Sequence, residues 1–142
     1  MPVASVTRLR LRSLRYLPAF LYRALMALLQ VRRADGCLAL TLGRRGEAFW
    51  TVTVWRDENA MKTFMLSGAH AKAMPHLVNW CDESSTVRFE WPATVLPGWD
   101  EAMRRMADAG RITPIPHPSP AHAAGNALGE EGITITLSGR LH

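Results

Sequence analysis

Positions 3–12 alternate, with Thr7, Leu9 and Leu11 against Arg8, Arg10 and Arg12, the period of a strand with one solvated face. From Leu14 the period lengthens, and Leu14, Leu17, Leu21, Leu25 and Leu28 step by three and four as one helix face does. Ser13 suits the N-cap and Pro18 the first turn, while Arg32 and Arg33 suit the negative end of the dipole and Asp35-Gly36 stops the helix. Cys37–Leu42 and Phe49–Trp55 read as strands joined through Gly43-Arg44-Arg45-Gly46, a hairpin. Both faces of Phe49–Trp55 are apolar or small, which predicts a central strand covered on both sides.

Asp57 caps the next predicted helix, whose stripe is Ala60, Met61, Phe64 and Met65. Ser67-Gly68 weakens it, a helical pattern resumes at Ala69, and Pro75 predicts a kink or a restart. Thr86–Trp91 is a fourth strand, ended by Pro92. Trp99–Ala109 reads as a short helix with Trp99, Met103 and Met106 inward, and residues 111–130, with four prolines, as a long loop or arm. Ile133, Ile135 and Leu137 alternate with hydroxyls, predicting a last strand over Gly132–Leu137.

The order β-α-β-β-α-β is the ferredoxin-like α+β arrangement, a four-stranded antiparallel sheet with two helices on one face. Residues 1–110 form the domain, and 111–142 are a Pro-rich loop and C-terminal strand of the same domain or an arm to a partner. Left bare, the sheet face bearing Trp50, Val52 and Val54 is an apolar patch, so a two-fold dimer packing sheet on sheet is expected.

The 142 residues suffice for a core without disulfides or metal. Two cysteines make no disulfide framework, and Cys37 and Cys81 read as reduced core residues of a cytoplasmic protein. The net charge of +5 is concentrated: residues 1–33 hold seven arginines and no acid. No aromatic residues interleave with Arg8, Arg10 and Arg12, so a solvated strand and helix face is favoured over a nucleic-acid partner. Arg23 interrupts the apolar run Tyr16–Val31, so neither a membrane span nor any other membrane partner is expected. The excess of arginine over lysine, fifteen to two, suggests a bacterial genome.

The run Trp50–Pro75, a strand ending in Trp-x-Asp followed by a helix bearing Phe-x-x-Ser-Gly-x-His, resembles the antibiotic-biosynthesis-monooxygenase-like proteins. These belong to the dimeric α/β barrel group, and the similarity is greatest to the branch with spheroidene-monooxygenase-like sequences. It covers roughly residues 1–91 and implies a dimeric α/β barrel, a cavity between the sheet and its helices, and monooxygenase-like activity on a small hydrophobic, aromatic or polyene substrate. The alternative it implies is a non-enzymatic protein holding a hydrophobic ligand or haem, and the cofactor is either none or haem. Haem-degrading members need a histidine and a tryptophan at positions aligned with Met74 and Phe64, which counts against haem degradation here.

His70 is the candidate catalytic residue: it can orient a phenol, act as a base near neutral pH or bind iron. The competing reading, a half-buried histidine satisfied by a backbone carbonyl, weighs slightly more. Trp55, Phe64, Met74 and His76 are the candidate substrate-binding residues, although Trp55 equally suits the core and His76 with Trp80 suits a surface stacking pair. His117 and His122 have no cysteine or carboxylate grouping, so no metal site is expected. No phosphate loop, nucleophile elbow or paired-carboxylate pattern is present.

Overall fold

The computed structural model describes residues 1–129. In order the elements are β1 (Val3–Leu11), a 3-10 turn (Leu14–Tyr16), α1 (Leu17–Arg33), β2 (Cys37–Arg45), β3 (Ala48–Trp55), α2 (Glu58–Met65) and α3 (Gly68–Trp80). They continue as β4 (Cys81–Glu90), α4 (Trp99–Ala109), β5 (Arg111–Ile112) and α5 (Pro120–Ala123). The sheet runs β2-β3-β1-β4-β5, every neighbouring pair antiparallel, so the expected ferredoxin-like order is present with β3 between β2 and β1.

The hairpin is tighter than expected, because Gly43 and Arg44 pair with Trp50 and Phe49 and the chain reverses only near Gly46, at φ 58°. Gly43 is needed for a different reason. The ring of Trp99 lies where its Cβ would be, 2.8 Å away. Asp57 caps α2 by accepting from the Ala60 amide at 2.8 Å, and Ser13 caps the 3-10 turn. Pro75 does not end α3, which runs through it to Trp80.

Several expectations are corrected, among them the solvated arginine face of β1, where Arg8 is buried. The sheet has five strands rather than four: β5 pairs Ile112 with Ser85 and Arg111 with Thr86, inside the segment expected to be a loop. The helices are not confined to one face. Trp50, Val52, Val6 and Val87 are buried under Ala102 and Met106 of α4 and under Leu128, which removes the exposed-sheet argument for a dimer. Nor does the leucine stripe over α1 face inward as a whole, although Leu28 lines the helix side of the sheet. Leu14, Leu21 and Leu25 are 78%, 51% and 50% exposed, and the helix instead buries Phe20 and Val31. The predicted strand Gly132–Leu137 lies outside the described residues.

The segment after β5 is anchored by an ionic network on the α4 side of the sheet. Arg8 and Glu83, 2% and 1% exposed, meet at 2.7 Å, and Ser119 donates to the second carboxylate oxygen at 2.7 Å. Arg10 holds Asp82 through two bonds of 2.9 and 2.7 Å, and Ser119 accepts from the amide of buried His122. A Cβ on Gly129 would run into the Glu83 carboxylate. Both cysteines are unbridged, and burial with Asp82 adjacent pushes the Cys81 thiol to about 12, so it stays protonated. No helix among the described residues is long and apolar enough to cross a membrane.

Candidate functional site

The strand period of two sends alternate residues of β1, β3 and β4 to the helix side, and there they carry hydroxyls. The register aligns them in rows across the sheet: Thr53–Ser5–Arg88, then Thr51–Thr7–Thr86. Above this floor α1, α2 and α3 present Ala24, Leu28, Met61, Phe64, Met74 and Leu77. Between them lies a cavity of about 270 Å³, polar below and apolar above.

His70, Trp55, Phe64 and Met74 all line this cavity. Trp55, Phe64 and His70 form an aromatic line, with ring centroids 5.2 Å and then 4.9 Å apart. Trp55 is 1% exposed and its indole N–H donates to Thr53 Oγ1 at 2.9 Å, which fixes the ring as an end wall. His76 is not among the lining residues. It is exposed and stacks on Trp80 at 5.4 Å, and Trp80 stacks in turn on Tyr16. The helical twist of α3 turns position 76 away from the face that bears Ala73, Met74 and Leu77.

The chemistry centres on His70. Its Nδ1 lies 3.1 Å from the Met65 carbonyl oxygen. A carbonyl only accepts, so Nδ1 carries the hydrogen and Nε2 keeps its lone pair. Burial lowers the imidazole pKa, the Met65 bond opposes this, and the Arg88 charge lowers it further. The result is a neutral imidazole near neutral pH, an acceptor or base at Nε2. The carbonyl bond expected of a plain half-buried histidine is therefore present, and it is what sets the tautomer.

Gln30 of α1, which the sequence did not single out, positions this histidine. Its Oε1 accepts from the His70 amide at 2.8 Å, while its Nε2 donates to the Ser67 carbonyl at 2.8 Å and the Phe64 carbonyl at 3.3 Å. One side chain thus joins the end of α2 to the start of α3, and Gly68, at φ 58°, allows the sharp junction. Gln30→Ala is expected to lower stability by about 1–3 kcal/mol, since it leaves backbone groups unpaired. It should also move the His70 pKa towards its free value in an NMR titration, a readout that loss of stability alone does not alter.

Arg23, Arg88 and the hydroxyl rows were also missed. The rows on β1 and β3 were legible, because Ser5/Thr7 and Thr51/Thr53 are each spaced by two in a predicted strand, whereas Ser84 lay before the predicted start of β4 at Thr86. Gln30 carried no signal, since its partners lie 34 to 40 residues on. Among the described residues no group of three histidines, cysteines or carboxylates is placed to hold a metal ion.

Several solved structures share this fold. Rv0793 from Mycobacterium tuberculosis superposes with a TM-score of 0.60 at 16% identity, over 66% of this chain and 97% of its own. SnoaB, a cofactor-independent oxygenase from Streptomyces nogalater, gives 0.54 at 20% identity over 68% and 98%. A conserved protein from Methanosarcina mazei Go1 gives 0.58 at 14% identity over 63% and 92%. The chain therefore has the fold of antibiotic-biosynthesis-monooxygenase-like proteins, as the Trp50–Pro75 resemblance implied. No curated protein matches it. The family model described as a domain of unknown function, DUF3291, matches residues 17–114, and the chain belongs to that family.

Proposed function

We propose that this protein is a cofactor-independent oxygenase acting on a small, electron-rich aromatic substrate held in the cavity. The observation that carries the proposal is the neutral His70, its tautomer set by Met65, in an apolar cavity floored by hydroxyls. His70 Nε2 takes a proton from a phenol or an activated methylene, and the positive Arg88 and the hydroxyl rows stabilise the anion. The electron-rich anion reacts with oxygen. In the net conversion of a methylene to a carbonyl, one oxygen atom enters the product and the other leaves as water with both hydrogens. Trp55, Phe64 and Met74 exclude water and give the ring its apolar walls. Oxygen uptake by the purified protein over a panel of quinols and anthrones tests this, and no uptake with any of them removes the enzyme proposal.

The second reading, a haem-binding protein, is favoured only by the free Nε2 of His70. The cavity is small for it, because a porphyrin needs several times the room of one aromatic ring, and Met74 and Phe64 add no basic nitrogen. A cytoplasmic homodimer belongs to the proposal, although the sheet face that motivated it is covered by α4. Sedimentation at micromolar concentration should show a dimer, and a clean monomer removes that part.

A further inference from the structure

The charges around the cavity are unbalanced. Among the described lining residues there are two arginines, Arg23 and Arg88, and no aspartate or glutamate. His70, the remaining titratable nitrogen, is held neutral by its burial. Elsewhere carboxylates satisfy Arg8, Arg10, Arg56, Arg104 and Arg105. Neither cavity arginine is ion-paired to a carboxylate among the described residues. Arg88 donates to the Met65 thioether at 3.1 Å, a weak acceptor for a guanidinium. Arg88 is exposed where it lines the cavity, so its guanidinium sits at the solvent-facing edge of the site.

The backbone explains why Arg88 is there. Pairing with Ser5 puts it at the end of the row Thr53–Ser5–Arg88, so a cation follows two hydroxyls along one line of the floor. Arg23 enters from the roof, half-buried on the face of α1 that also bears Phe20, Ala24 and Ala27. A neutral hydrocarbon would leave the exposed Arg88 and the half-buried Arg23 with water alone to meet their charge. An anionic group would meet a planar fork of donors and a positive potential with no acid among the described lining residues.

We propose that the ligand of this cavity is a small apolar acid, with one carboxylate or similar anionic group on a compact apolar body. Arg88 holds the anion, Arg23 adds positive potential, and the body lies under Met61, Phe64 and Met74. The assignment rests on the same cavity as the oxygenase proposal but on no reaction.

Matched pairs isolate the charge. Benzoate with benzamide, and 2-naphthoate with 2-naphthamide, differ by one anionic group at nearly constant shape. In calorimetric titrations of the full chain, each acid should bind roughly tenfold tighter than its amide. Rising salt should weaken the acids and leave the amides unchanged. Arg88→Met, which keeps the apolar stem, should abolish the preference, and Arg23→Met should reduce it. Amides binding as well as acids, no acid binding at all, or Arg88→Met weakening both members of a pair alike would each overturn the assignment. Acid-selective binding without oxygen uptake on any quinol would remove the oxygenase proposal and leave the ligand class standing. Uptake on neutral quinols without acid preference would do the reverse.

Discussion

Glu83→Ala is expected to lower the free energy of unfolding by about 3–5 kcal/mol, the usual cost of orphaning a buried ion. Arg8 is 2% exposed and meets Glu83 at 2.7 Å, so the variant leaves a guanidinium in the interior without that carboxylate. It also takes an acceptor from Ser119, which ties the segment after β5 to the sheet. Against a total stability of about 5–15 kcal/mol for a typical domain, this places the variant near the threshold of folding. The urea midpoint measures it. The double variant Arg8→Met/Glu83→Leu should recover much of the loss, because replacing both charges removes the desolvation penalty along with the attraction. An unchanged midpoint in Glu83→Ala would mean that the network contributes nothing to stability.

His70→Gln is expected to lower the rate of oxygen uptake by about 10²–10⁴-fold, the contribution typical of a positioned general base. Glutamine fills similar space and can still donate to Met65, so a matching loss of stability is not expected. The wild-type pH profile carries the sign. Burial and Arg88 lower the His70 pKa below 6.5, and the neutral form is the active one. Activity should therefore rise with pH through that lowered value and be flat near neutrality. Stability follows the same direction, since between the folded pKa and 6.5 the unfolded chain binds more protons and folding weakens as the pH falls. Arg88→Met should shift the acid limb upward by removing a charge that opposes the imidazolium. An acid limb unmoved in that variant would detach Arg88 from the site, and full activity in His70→Gln would remove the base.

Much of the fold was legible in the chain. The switch from period two to three-and-four steps located β1, α1, β2, β3, α2, α3 and β4 in order, because each must bury a face or stripe to be stable. Asp57 marked the start of α2 for a local reason, its carboxylate reaching an amide three residues away. The miss in α1 has a physical cause. That helix is apolar on two sides, so periodicity allowed Leu14, Leu21 and Leu25 as readily as Phe20, Ala24 and Val31, and only packing against the sheet and α3 chose between them. The segment after Gly110 misled because prolines suppress regular structure without preventing burial. Ser119 and His122 are buried through a few long-range bonds rather than an amphipathic pattern.

The site divides in the same way. Trp55, Phe64, His70 and Met74 all lie within the run Trp50–Pro75 that carries the resemblance. Of the two readings of His76, the structure has the surface stack with Trp80, which looks the same in a sequence as a cavity wall. By itself the sequence determined the order of elements, the caps and a short list of aromatic and imidazole groups, all set by interactions within a few residues. The tertiary structure decided which sheet face α4 covers, where Gln30 clamps His70 and where Arg23 and Arg88 converge. Those depend on contacts between residues far apart in the chain, whose geometry exists only once the sheet register is formed.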